Sequence, residues 1–292
     1  MTTDYAFVLL LPLAILNPIG QFCIKIGHER EAHVLWWMGT FIAMLLYPCV
    51  HLAAVYYAEN VFIAPVHSTS ILWSIMLAFF FLDEGKFLGW QTVEGFVSFV
   101  SGLCLALFVI LHHDEARDDS FVNWDMLTLY LAVWFAIVTT LVGFASFTGH
   151  GTWFLFSWVA AAGALLSVNI LMSVDLWLFK RDHAFITTGL GFTTAVLFAG
   201  ASLANILILN FVLQQDNFDY HVIGPLYQGI NLFMDMGSDL LVFERYKKWE
   251  GYEFVIVGIG FYMIFQGIFL LNSHRHPKNE MDYIKKISLL AR

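Results

Sequence analysis

Charge is what this 292-residue chain has least of: Asp, Glu, Lys and Arg make up 13% of it, against about 25% in an ordinary soluble domain. With 59% hydrophobic residues and a mean hydropathy of +0.72, that shortage excludes an ordinary soluble fold and points to an integral membrane protein. Cysteine is scarce as well. Cys23, Cys49 and Cys104 all fall in apolar runs, without CxxC or metal-ligand spacing, which argues against a disulfide framework. Runs of basic residues are missing, so nucleic acid is not an expected partner; the net charge of −9 is spread over polar stretches such as His112 to Asp119 and Gln214 to Asp219. GxSxG, HExxH and Walker signatures are missing too. The expectation is therefore a non-enzyme with no cofactor, and any transport driven by gradients or passive.

What the chain has in abundance is apolar length. A hydrocarbon core demands about 20 apolar residues per helix. On that measure nine transmembrane helices are expected, at 5–27, 34–57, 61–82, 90–111, 124–147, 152–179, 186–213, 221–243 and 252–272. The first run lacks a basic leader and continues through Asn17, Pro18 and Gln21 to Lys25, so it reads as a retained helix rather than a signal peptide. An outside N-terminus would put Lys25, Arg30, Lys86 and the five basic residues of the tail on the inner face. Arg117, Lys180, Arg181, Arg245, Lys247 and Lys248 would then lie outside, and this balance favours N-terminus out, C-terminus in. The fold class is all-α and polytopic, with one transmembrane domain at 1–273 and a polar tail at 274–292. Within the tail, Met281 to Ala291 suits a short interfacial helix.

Two stretches share one design. APVHSTSILWSIMLAFFFLDE at 64–84 and GPLYQGINLFMDMGSDLLVFE at 224–244 both run from a proline (Pro65, Pro225) to a glutamate (Glu84, Glu244) across an apolar helix length. Each is preceded by a helix ending at a polar junction and followed by a glycine-bearing helix that ends near histidine. Expected helices 2, 3 and 4 thus correspond to 7, 8 and 9. An offset of five makes equivalent helices cross in opposite senses, the inverted-repeat arrangement of many secondary transporters, with halves 1–113 and 124–273 and sites near the midplane. Small residues four apart, such as Ser98 with Gly102 and Gly163 with Ser167, suit close helix contact.

The second copy differs from the first by two acids. Asp235 and Asp239 stand where the first has Ile75 and Phe79, and with Asn231 they are spaced four apart on one helix face, beside Gln228 and Ser238. Carboxylates inside a lipid-length helix need a cation, water or basic partner, and are functional candidates by default. Hard oxygen donors suit Mg²⁺ or similar ions, with Asp235 and Asp239 as candidate metal ligands; the plainer readings are an ion pair, a protonated acid, or Asp239 snorkelling to the interface. The first helix offers Asn17, Gln21 and Lys25 at the same spacing, with Pro18 expected to open a backbone carbonyl as in broken transporter helices. Lys25 reads as the marker of a helix end. Asn169, Asn205 and Asn210 are further buried-amide candidates, although such amides more often bond a neighbouring helix. Asp175 and Glu94 read as interfacial, and Glu84 and Glu244 as helix-end groups pairing with Lys86 or Arg245.

Gly20, Phe22 and Lys25, LWWMG at 35–39, AAVYYA at 53–58, Pro65, Ser70, Leu72, Ser74, Leu82 and Glu84, then Asn210, PLY at 225–227, Ser238, Phe243 and Glu244, and GIFLL at 267–271 together resemble the NIPA-type magnesium transporter family of the drug/metabolite transporter superfamily. The resemblance implies nine helices, an outside N-terminus and movement of Mg²⁺ or another divalent cation across a plasma or endosomal membrane. This chain departs from the family pattern at Pro48, where a glutamate is expected, at His51, where an asparagine is expected, and at Asp235 and Asp239, where the family is uncharged. The expected function is a secondary divalent-cation transporter using Asp235, Asn231, Asp239, Gln228, Asn17, Gln21 and Asn210. A carrier of a small organic solute and a non-transporting receptor or scaffold are the alternatives, and the lipid bilayer is the expected partner.

Overall fold

The computed structural model describes residues 2–57, 63, 69–82, 90–112, 122–148, 152–182, 189–214 and 220–272. Every regular element among them is helical: α1 (Thr2–Glu29), α2 (His33–Phe41), α3 (Tyr47–Tyr57), α4 (Ser70–Phe81), α5 (Trp90–His112), α6 (Trp124–Thr148), α7 (Thr152–Leu166), α8 (Asn169–Asp182), α9 (Gly189–Leu213), α10 (Tyr220–Val242) and α11 (Gly251–Asn272). The chain is an all-α, polytopic membrane protein. By length and composition, five described stretches suit a membrane crossing: His33–Ala54, Trp124–Thr148, Trp153–Leu176, Gly189–Leu213 and Gly251–Leu270; Ser70–Phe81 and Val93–Ala106 are shorter apolar helices. Pro65, Glu84 and the segment Met281 to Ala291 lie outside the described residues.

Burial separates centre from rim. Trp153–Leu176 is 83% buried and Trp124–Thr148 only 11%, so the former runs through the bundle while the latter offers most of its surface to lipid. α10 is the most connected helix, packing on α1, α4, α6, α7, α8 and α11. The contacts recur at an offset of five expected helices: α1 packs on α2 and α4, and α7 packs on α9 and α10. The third expected helix meets the eighth as α4 on α10, and the fourth meets the ninth as α5 on α11.

Glycine lets the α5–α11 pair approach closely. A Cβ on Gly102 would collide with the Gly260 carbonyl, and one on Gly267 would sit 2.6 Å from the Gly95 carbonyl, so two glycines seven apart on each helix form one seam. Ser98 Oγ adds a hydrogen bond to the Met263 carbonyl at 2.9 Å. Lipid is as apolar as the side chains, so contact of this kind, rather than the hydrophobic effect, holds the pair together.

Two helices are irregular, and neither as expected from Pro18. α1 runs through Pro18 without a break. The bond lost is the one to the Ala14 carbonyl, four residues before the proline, and one such loss does not interrupt the helix; separately, the Tyr220 hydroxyl donates to the Pro18 carbonyl at 2.9 Å and ties α10 to α1. The interruption falls in the sixth expected helix, at Ser167–Val168, where α7 ends and α8 begins. There Ser167 Oγ donates to the Ala164 carbonyl at 2.7 Å and meets Tyr130 Oη at 3.0 Å, which covers the broken turn. The second irregularity is a π-helical turn, Ile42–Leu46, between α2 and α3, in which the Tyr47 N–H reaches back to the Ile42 carbonyl. Pro48 follows it. Proline has no N–H for the residue four before it and its ring crowds that carbonyl, and a widened turn relieves both.

Candidate functional site

The polar stripe of α10 lies inside the bundle. Gln228, Asn231, Asp235 and Ser238 are each 1% exposed and Asp239 is 0% exposed. Asp239 therefore does not snorkel to the interface, because α10 is enclosed by six helices. Ser238 is spent on its own helix, its hydroxyl donating to the Asp235 carbonyl at 2.8 Å. Asn169, the first residue of α8, and Asn231 on α10 both present side chains to the Asp235 carboxyl, and Asp239 lies within electrostatic reach of it. Among the described residues, Gln228 Nε2 and Oε1, Asn231 Oδ1, Asp235 Oδ1 and Asn169 Nδ2 are buried without a hydrogen-bond partner, so Asn169 lies near the acid without a formed bond from its amide N–H. Buried polar atoms left unmatched cost about 1–3 kcal/mol each, so a set of them around a carboxylate suits a polar or cationic guest.

A cavity of about 50 Å³ opens beside this stripe, lined by polar groups of Asn17, Tyr47, His51, Asn169, Asn205 and Tyr227 and by apolar side chains that include Met44, Met172 and Phe198. Its walls come from α1, the π turn with α3, both halves of the broken helix, α9 and α10. Asn17 and Gln21 are buried on α1, with Gln21 Nε2 donating to Asn17 Oδ1 at 2.9 Å. Asn205 Nδ2 donates to Tyr227 Oη at 3.0 Å, joining α9 to α10. Asp235 is not part of this lining; Asn169, which is, lies beside its carboxyl.

Of the residues chosen from sequence, Asn17, Gln21, Gln228, Asn231, Asp235 and Asp239 are all buried, on α1 and α10. Asn210 stands apart. Its Oδ1 accepts the Trp36 indole N–H at 3.1 Å and its Nδ2 donates to the Ile206 carbonyl at 3.1 Å, so the amide ties α2 to α9. Lys25 is 3% exposed with Nζ 3.4 Å from Glu29 Oε1, an ion pair rather than a free helix-end charge. Asp175 takes the Thr194 hydroxyl at 2.6 Å, linking α8 to α9. Glu94 is exposed, as an interfacial residue should be. Glu244 bonds Lys247 Nζ and Asn123 Nδ2, both at 2.6 Å; Lys86 lies outside the described residues. Tyr47, Tyr227 and the lining role of His51 were not anticipated. A mid-helix proline at 48 was the available signal, whereas nothing local marks the break before Asn169.

Among the described residues, no group of three or more His, Cys, Asp or Glu side chains is placed to hold a metal ion. A cation here would meet a carboxylate pair, amides and tyrosines, a donor set suited to an ion that keeps part of its water. The cysteines are unpaired, Cys23 buried and Cys49 and Cys104 exposed.

No family model matches the chain, and no solved structure matches it. Curated proteins do. The chain is 24% identical over 263 residues to the probable magnesium transporter NIPA2 of Arabidopsis thaliana, covering 84% of this chain and 74% of that protein. It is 23% identical over 276 residues to the probable magnesium transporter NIPA1 of the same plant, covering 91% and 79%. A probable magnesium transporter of Candida albicans is 22% identical over 269 residues, covering 87% and 69%. Similarity this low in identity and this complete in coverage fits a polytopic membrane transporter that is a divergent member of the NIPA-type family.

Proposed function

We propose that this chain is a secondary, ATP-independent transporter of Mg²⁺ or another divalent cation, with Asp235 as the principal charged group of its path. The observation that carries the reading is a carboxylate 1% exposed on the central helix, with Asn169 and Asn231 beside it and, next to Asn169, a mostly apolar cavity that also carries Asn17, Asn205 and Tyr227. A buried acid with no basic partner among the described residues is costly unless a cation compensates it at some stage of the cycle. The printed names of the relatives support the substrate class. The offset-of-five contacts support two halves, 1–113 and 124–273, built as inverted repeats about the cavity; apolar length and the balance of basic residues in the sequence support nine crossings, an outer N-terminus and an inner C-terminal tail. Movement of one half against the other around a fixed midplane site gives alternating access.

The test is divalent-cation flux in reconstituted vesicles, with Asp235→Asn beside the wild type. Uptake should fall about tenfold or more, as expected on neutralising a functional intramembrane acid. Uptake that persists unchanged removes Asp235 from the path. Exchange of a small organic solute without divalent flux would replace this reading with that of an organic carrier.

A further inference from the structure

The cavity contains one donor that a magnesium path does not call for. Its lining holds amides and phenols from five elements but no carboxylate, and on its α3 wall stands His51, 2% exposed, with its ring centroid 5.8 Å from that of Tyr47 one turn before it. The π turn at Ile42–Leu46 and Pro48 set the rotation of α3 that brings both rings to the cavity instead of to lipid. Resting on the divalent-transport reading of this cavity, we infer that His51 supplies a nitrogen ligand to the passing cation, so that the chain favours first-row transition ions such as Co²⁺ and Ni²⁺ over Mg²⁺.

Coordination preference leads there. Imidazole suits Ni, Zn, Cu and Fe, whereas Mg²⁺ is held by carboxylate, carbonyl and water oxygens, and nitrogen-bearing sites bind divalent first-row ions in an order that rises toward nickel and copper. An imidazole among the protein ligands therefore rewards the later transition ions most. Asn17, Asn169 and Asn205 supply amide groups around the same space, and Asp235 lies beside Asn169.

The experiment compares initial uptake of Mg²⁺, Co²⁺ and Ni²⁺, each at the same concentration, into vesicles containing wild type or His51→Asn. Wild type is expected to prefer Co²⁺ and Ni²⁺, and the Ni²⁺ to Mg²⁺ ratio should fall about tenfold in the variant, which replaces the imidazole with an amide. An unchanged ratio overturns the inference. Should the variant fail to fold, His51→Gln, which also removes the imidazole, takes its place, and an unchanged Ni²⁺ to Mg²⁺ ratio there overturns the inference as well. Wild-type vesicles that move Mg²⁺ but neither transition ion sink this inference and leave the transport reading standing. Vesicles that move no divalent ion sink both.

Discussion

α4 and α10 carry the same sequence design and do different work. Counted from Pro65 and Pro225, Ile71 answers to Asn231, Ile75 to Asp235 and Phe79 to Asp239. On α4, Ser70, Ile71, Ser74 and Ala78 are buried while Ile75 and Phe79 are half-buried. On α10, all three polar counterparts are at most 1% exposed. The difference follows from neighbours: among the described elements α4 packs chiefly on α1 and α10, whereas α10 has six helical partners, two of which bring amides to the stripe. Carboxylates stand where neighbouring helices bring amides, and the half-buried equivalents Ile75 and Phe79 stay apolar.

Moving the charge is the strongest way to break that comparison. Ile75→Asp puts an acid at the position equivalent to Asp235 without its enclosing amides, and should cost about 2.5–3.5 kcal/mol, seen as a lower melting temperature in detergent and poorer membrane insertion. Stability equal to wild type would show that enclosure is not what licenses the acids of α10. A second contrast sets the central cavity against the glycine seam of α5 and α11. Gly102→Val drives a side chain into the Gly260 carbonyl and should cost about 1–3 kcal/mol in thermal unfolding, while leaving the ratio of Ni²⁺ to Mg²⁺ uptake in the surviving folded protein as in wild type. A changed ratio would tie the seam to the cavity.

The smallest effect is expected at the end of α10, where charge is exposed. Glu244 holds a left-handed backbone (φ 51°), and its bond from Lys247, then that from Asn123, keep its carboxyl below the usual glutamate range. An acid depressed on folding stabilises above its unfolded pKa and loses that contribution as pH falls through the lower folded value. Melting temperatures taken from about pH 7 to about pH 3 should therefore show an acid-side loss that Glu244→Gln makes shallower, and that salt weakens because the pair is exposed. Identical curves for the two proteins would leave Glu244 without a part in acid stability.

Much of the site was legible because helical spacing is local. Asn231, Asp235 and Asp239 share a face whenever residues 231 to 239 are helical, and so do Asn17 and Gln21. Asn210 shows the limit of that logic: its spacing and type match the others, yet an indole from α2 takes its amide. Lys25 is different: Glu29 stands one turn on, a spacing the sequence displays, and only the lysine's burial depended on packing. The helix breaks were the hardest to read. Pro18 has the local chemistry of an interruption and leaves α1 whole, while Ser167–Val168 lacks it and divides the sixth helix, because neighbouring hydroxyls and carbonyls decide where a backbone gap is tolerated.

Composition and apolar length alone determined that this chain lives in a membrane as a bundle of helices, since hydrocarbon admits a backbone only when its own hydrogen bonds are closed within each segment. Periodicity alone determined which polar residues share a face. Only the tertiary structure decided which faces meet: it enclosed Asp239, excluded Asn210, placed Asn169 beside Asp235 and brought Tyr47 and His51 to one cavity. Those outcomes depend on contacts between residues far apart in the chain, such as Tyr220 with Pro18 and Trp36 with Asn210, and packing of that range leaves no periodic trace in the sequence.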